Sequence, residues 1–358
     1  MIARRNGVMA MRKGLAVLII ALFLTSLSMS PACAEVETPS GEYYSLVNEN
    51  NYVILQTALE VNPGDVYISA DNSRYEVAEV TGYTARCTYQ GKEAMPDLAA
   101  EPLAQASILD GVVPIVKQGG KPTIAVYHTH SDESYVPNDG KESIQGNGGI
   151  YDVGAALVDQ LKSMGFNVEY NTENHNPHDV NAYNRSRKTA AALMKSAPAA
   201  IIDVHRDAVP PGQYQTQVNG KDATKVKLVV GRSNPNSKTN LEFAKNLKAA
   251  MDQKAPGLSN GIFMGKGSYN QDLSPRAILI EVGAHTNDKI AAEQGVKAFA
   301  SILPGVLGVA TDGTPGTTPA QKPASDQKAG TTILIILLVV AAAAVGFYLL
   351  NKGSLAKK

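Results

Sequence analysis

The feature that most restricts the fold is a set of short, nearly all-apolar runs separated by stretches of helical periodicity. TIAVY at 123–127, AAIIDV at 199–204 and AILIEV at 277–282 are rich in β-branched residues and lack polar/apolar alternation. Strands of that kind need cover on both faces. Between them, 150–164 sets Val153, Leu157, Val158 and Leu161 at helical spacing, with Gly165 where a C-cap would stand. Further strands are expected at 166–170, 225–230 and 262–264, and further helices at 179–195, 238–251 and 291–307. The alternation predicts an α/β domain over 119–310: a central, mainly parallel sheet flanked by helices. Residues 42–90 differ. Short β-like runs at 52–56, 66–69 and 75–80 are divided by the turn formers Asn62-Pro63-Gly64-Asp65 and Asp71-Asn72. With an Ala/Pro-rich connector, 35–118 reads as a small β-rich module preceding the α/β domain.

The two ends differ again. Residues 1–34 carry Arg4, Arg5, Arg12 and Lys13, no acid, an apolar run at 15–29 and the sequence Ala32-Cys33-Ala34, which is the layout of a signal peptide. Residues 331–350 are twenty apolar or small residues, enough at 1.5 Å rise to cross about 30 Å of hydrocarbon. Lys352, Lys357 and Lys358 follow, so the tail 351–358 is expected in the cytoplasm, with 35–330 outside the membrane. The Thr/Pro/Ala-rich stretch 311–330 is expected to be an extended linker. Formal charge over the chain is zero. Removing the seven basic residues of the two ends leaves 26 basic against 33 acidic residues over 35–330, a net of −7. That balance argues against a nucleic-acid partner, since such binding rests on positive charge releasing phosphate counterions. Only Cys87 remains after signal cleavage, which excludes an internal disulfide and a Cys-rich metal site.

Polar residues gather at the C-terminal ends of three predicted strands, the edge where α/β sheets form sites. The clusters are His128-Thr129-His130-Ser131-Asp132-Glu133, Asp203-Val204-His205-Arg206-Asp207 and Glu281-Val282-Gly283-Ala284-His285. Two or three His/Glu ligands with an open position make a catalytic zinc site, and a separate carboxylate then handles the proton. The three clusters supply enough residues for both roles. Outside them, His175 and His178 stand in an Asn-rich loop and are expected to be exposed. Arg185 and Arg187 are expected on a solvated helix face, and 265–270 as a flexible loop near the cleft.

The segments VYHTHSDESY, IIDVHRDAV and AILIEVGAHTND, in that order, resemble the stage II sporulation protein P family, related to zinc N-acetylmuramoyl-L-alanine amidases. The resemblance extends over roughly 40–310. It implies an amidase-like fold and His130 as first zinc ligand, with His128 the alternative. It further implies His205 as second ligand and Glu281 as the catalytic acid/base. The amidases' ligand Glu lies further along, near the first helix. No acid stands at the equivalent position here, which leaves Glu133 as third ligand and Glu142 as a weaker choice. Arg206 and Arg276, beside these residues, suit the carboxylates of a peptide stem. The resemblance also implies cleavage of the amide between N-acetylmuramic acid and L-Ala in peptidoglycan, endopeptidase action on cross-links, and septal thinning and engulfment during sporulation. Its implied partners are the stage II sporulation proteins D and M. Two other readings keep the same fold: a wall-binding scaffold without turnover, and a metallopeptidase acting on stem cross-links alone.

Overall fold

The computed structural model describes residues 38, 41–98 and 121–309. The expected signal peptide, the connector from 99 to 118, the linker, the apolar run 331–350 and the tail lie outside the described residues. Among the described residues no helix is long and apolar enough to cross a membrane.

One large sheet organises the fold. Its strands, in chain order, are β1 (Tyr44–Val47), β2 (Val53–Thr57), β3 (Val66–Ile68), β4 (Ser73–Thr81), β5 (Thr84–Lys92), β6 (Thr123–Tyr127), β7 (Asn167–Tyr170), β8 (Ala200–Asp207), β11 (Val226–Gly231), β12 (Ser259–Gly265) and β13 (Ala277–Ala284). A separate hairpin joins β9 (Gln215–Val218) to β10 (Lys221–Thr224). The helices are α1 (Val136–Asp139), α2 (Ile150–Ser163), α3 (Ala182–Leu193), α4 (Ser237–Lys254) and α5 (Lys289–Leu307). The sheet runs β2-β1-β5-β4-β3-β12-β11-β13-β8-β6-β7. β7, β6, β8 and β13 are mutually parallel, as are β11 and β12; β11 and β13 meet antiparallel. The fold is thus mixed α/β, parallel where the polar strand ends gather.

The β-rich part is continuous with this sheet. β3 pairs antiparallel with β12 through Ile68↔Ile262, Tyr67↔Phe263 and Val66↔Met264. β1 and β5, not anticipated from sequence, join β4 to β2 at the edge. The inward residues of β5 alternate, Ala85 and Cys87 buried between exposed neighbours, which is the pattern of a half-covered strand. The hairpin was also not anticipated, although its turn is Asn219-Gly220 with φ of 52° and 74°, the positive pair that a two-residue hairpin turn demands.

Period-2 alternation splits each strand between two layers. Ile124, Val126, Ile202, Val204, Ile278, Ile280, Leu228 and Val230 face one core with apolar residues of α2, α4 and α5. The opposite face is covered by two different pieces. Ala190 and Leu193 of α3 pack on Ala125, Tyr127, Ile201 and Ala277. Leu59, Val61 and Tyr67, from the N-terminal part, pack with Val229, Phe263 and Leu279. Asp203, His205, Lys227 and Glu281 belong to this second face by register.

The junction between β3 and β12 depends on Gly261. Its φ is +81°, and a Cβ there would lie 2.3 Å from the Ile68 carbonyl oxygen. Gly261→Ala is expected to destabilise the protein by about 2–3 kcal/mol, through a disfavoured φ and a displaced strand. Thermal unfolding should then shift down by roughly 5–10 °C; an unchanged midpoint would mean that β3 and β12 do not approach this closely.

Candidate metal centre

The loop after β6 is fixed by its own backbone before any side chain acts. Ser134 N–H donates to Glu142 O, Ile144 N–H to Asp132 O and Ile150 N–H to Glu133 O, at 2.8–2.9 Å. Thr129 anchors its start: its N–H and hydroxyl donate to the two carboxylate oxygens of Asp203 at 2.8 and 2.6 Å. So held, His130 and Glu133 turn toward His205 on β8.

The three side chains converge. Nδ1 of His130 and Nδ1 of His205 each lie 3.1 Å from the same Glu133 oxygen, Oε1. Glu133 Oε2 accepts the Arg206 backbone N–H at 2.8 Å. All three residues are buried. Among the described residues they form a group of His and carboxylate donors whose ligand atoms lie within 4.8 Å of one another. Behind His205, Nε2 lies 3.0 Å from Asp203 Oδ1. The Asp203 carboxylate lies against the far nitrogen as a charge contact, without the alignment of a hydrogen bond, and Nδ1 faces the other donors. Burial alone would raise the Glu133 carboxyl, but the charges of His205 and Arg206 outweigh it and hold the group below the usual carboxylate range. Burial alone would lower His205, but the Asp203 and Glu133 carboxylates push it well above the usual imidazole value. A divalent cation among these donors would offset the Glu133 charge and take the place of the proton that the carboxylates hold on His205. The donor set also has a suitable size: tetrahedral zinc with bonds of about 2.0–2.1 Å separates its ligands by roughly 3.3–3.4 Å.

Glu281 stands beside this group. It is opposite His205 in the β8–β13 register. It is 1% exposed, and its Oε2 is buried with no hydrogen-bond partner among the described residues. Burial first, then the nearby Asp207 carboxylate, raise its carboxyl well above the usual range, with Lys227 and His205 opposing.

The remaining candidates fall elsewhere. His128 does not join the donors: its Nδ1 lies 2.8 Å from Val204 O and its Nε2 2.9 Å from the Tyr170 hydroxyl, and burial pushes it down to about 4. Glu142 is also outside; its carbonyl accepts from Arg206 Nη2 at 3.1 Å, while its half-exposed carboxylate sits 3.9 Å from His285 Nε2. Arg206 is buried, with its main chain on Glu133 and its guanidinium on the Glu142 carbonyl, so it braces the donor loop. Arg276 is not brought to the site. It precedes β13, five residues from Glu281, roughly 16 Å along an extended strand and at the opposite edge of the sheet.

The loop histidines correct their expectation of exposure. His175 is buried, its Nδ1 2.7 Å from His128 O and its Nε2 2.8 Å from Thr189 Oγ1. His178 stacks on His130 at 3.7 Å between ring centroids and lies 3.2 Å from Asp132 Oδ1. The cause is Arg185, which stays partly exposed but donates to the carbonyls of His175 and Pro177 and to Asp179, folding the loop back. Arg187 is bound at both Nη atoms by Asp272. The 265–270 loop is likewise anchored, with Tyr269 and Asn270 buried and Asn270 Nδ2 donating to Tyr183 O and Ser186 Oγ. Sequence reasoning missed Asp203 as the partner of His205, although a spacing of two in a strand puts both on one face. It also missed Lys227 and Asp207, charged residues within or ending buried strands.

Comparison with known proteins places the chain. A family model described as stage II sporulation protein P matches residues 48–304. The stage II sporulation protein P of Bacillus subtilis (strain 168) is 32% identical over 206 residues, 52% of this chain and 51% of that protein. The chain thus spans about half the length of the curated relative it matches. Similar solved structures include the N-acetylmuramyl-L-alanine amidase Ami1 of Mycobacterium smegmatis, at 16% identity and TM-score 0.35 over 52% of this chain and 97% of that one. Another is the CwlD amidase of Clostridioides difficile in complex with the GerS lipoprotein, at 14% identity and TM-score 0.35, over 52% and 96%. With the family match spanning β2 to β5 as well as the buried His130, Glu133 and His205 group, the chain belongs to the stage II sporulation protein P family.

Proposed function

We propose that this protein is a zinc-dependent peptidoglycan hydrolase that cleaves the amide between N-acetylmuramic acid and the L-Ala of the stem peptide, outside the membrane, during sporulation. The observation that carries the reading is the pairing of a buried two-His, one-carboxylate donor set with a separate, buried carboxylate oxygen on Glu281 that has no partner among the described residues. Family membership adds the sporulation context. Endopeptidase action on cross-links, septal thinning and engulfment, and the partners D and M belong to the same proposal. So do the signal peptide and the C-terminal membrane anchor, which rest on the sequence at 1–34 and 331–350.

His130, His205 and Glu133 would hold the ion. When bound, zinc polarises a substrate carbonyl and acidifies water. The chain's own groups do the rest. Glu281 Oε2 takes a proton from the attacking water and delivers it to the departing amide nitrogen, leaving a free amine on the stem. A carboxyl whose affinity for protons is raised by burial suits both halves of that transfer near neutral pH. Asp203 keeps the His205 ring oriented, and Arg206 keeps Glu133 in place through its N–H.

Purified full-length protein is expected to release stem peptides from sacculi, to lose this activity in EDTA and to regain it with zinc. Mass spectrometry of the products separates the readings. Bare glycan and whole stems mark an amidase. Stems left on glycan with broken cross-links mark a peptidase. Binding without any new muropeptide marks a scaffold and would contradict the proposal.

Glu281→Gln should lower kcat by about 10²–10⁴ while zinc content stays the same, the size of loss typical of a missing general acid/base. An unchanged rate would remove Glu281 from the chemistry. Asp203→Ala should weaken zinc binding by roughly 10–100-fold in a chelator competition, as loss of a ligand's supporting carboxylate does. Equal affinity would mean that the Asp203 contact does not orient His205.

A further inference from the structure

Lys227 is fully buried within β11. Register places it opposite Glu281 of β13, and Glu281 opposite His205 of β8. Paired residues share a face, with Cβ atoms about 4.5–5.5 Å apart. Lys227, Glu281 and His205 therefore form one row across three strands. The lysine Nζ extends to the β8 side of that row, donating to Asp207 Oδ2 at 2.5 Å. It also donates to Thr57 Oγ1 at 2.8 Å. Asp207 is held in turn by the Tyr214 hydroxyl at 2.8 Å and by the N–H groups of Ala58 and Ala208 at 2.9 Å. Lys227 and Asp207 thus each have a fixed place, and two of the fixing groups, Thr57 and Ala58, come from the end of β2 and the residue after it.

Stability alone is a poor account of this pair. Desolvating an ammonium and a carboxylate offsets most of their attraction, and well-packed apolar residues do as well or better. To reach Asp207 on β8 from β11, the lysine side chain crosses β13, the strand that carries its register partner Glu281.

We propose that Lys227 is the positioning residue of Glu281, and that the N-terminal strands complete the catalytic unit by supplying Thr57 and Ala58 to hold it. The inference rests on the function proposed for Glu281 above. It implies that 53–58 acts on turnover without touching the substrate.

The test is steady-state kinetics of the full-length protein on a soluble muropeptide, with zinc content and melting temperature measured on each variant. Thr57→Val, nearly isosteric, should lower kcat roughly three- to tenfold with KM unchanged, the effect of one lost neutral hydrogen bond. Lys227→Met should lower kcat roughly 10- to 100-fold, the effect of a lost contact to a charged group. Because a lone buried Asp207 can unfold the protein, Lys227→Met/Asp207→Asn is the deciding variant: both charges go and the fold is relieved. The proposal expects this double variant to melt near the wild type, bind zinc equally and still turn over slowly. Recovery of wild-type kcat in it would show that Lys227 serves only to neutralise Asp207, and overturns the proposal. Wild-type kinetics in Thr57→Val overturns the part assigned to the N-terminal strands. If the wild-type protein releases no product, the function on which this rests falls, and the assignment falls with it.

Discussion

The structure is organised around a set of charges that water does not reach. His130, Glu133, Asp203, His205, Asp207, Lys227 and Glu281 are all buried on or beside one face of the central sheet. Each bare ion there would cost several kcal/mol, and all of these groups but Glu281 are held by polar partners. The partners form a continuous chain: Thr129 to Asp203, Asp203 to His205, His205 and His130 to Glu133, Glu133 to the Arg206 amide. A second chain runs from Thr57 through Lys227 to Asp207. Glu281 lies between the two, with an oxygen that neither chain satisfies. An interior arranged this way is specified by its polar contacts as much as by its apolar core.

Sheet order makes the arrangement attainable. β13 sits between β8 and β11, so Glu281 has His205 on one side and Lys227 on the other. Because β8 and β6 run parallel to β13, the donor loop after β6 arrives at the same edge. The N-terminal strands close the other flank. Leu59 and Val61 cover Val229 and Leu279, which keeps the row dry, and the same segment contributes Thr57 and Ala58 to its hydrogen bonds. The part that reads from sequence as a preceding module is thereby a wall of the site.

Much of this was legible in the residues. The apolar runs ending in His or Glu located β6, β8 and β13 and their shared edge, because a buried strand and its polar terminus are both local signals. The choice of His130 over His128 came from resemblance; both follow β6 in the loop, on either side of Thr129, which is anchored on Asp203, and there His130 meets the donors while His128 meets the Val204 carbonyl. What escaped was set by contacts distant in sequence. His175 and His178 lie in a polar loop whose burial depends on Arg185 reaching back to its carbonyls. Arg276 is adjacent to the β13 strand in sequence, yet at its wrong end. Lys227 looked like an ordinary residue of a strand until the antiparallel pairing set it against Glu281. The Asn219-Gly220 turn carried its own signal, and the hairpin it makes was readable from that dipeptide alone.

The central claim is that His130, Glu133 and His205 are the ligands of one zinc ion. X-ray anomalous scattering across the zinc edge, on crystals of the protein grown with zinc, tests it directly. The account predicts a single strong peak about 2.0–2.2 Å from a nitrogen of each histidine and from a Glu133 oxygen. A peak bound elsewhere, or one that includes His128 or Glu142 in place of these donors, would contradict it.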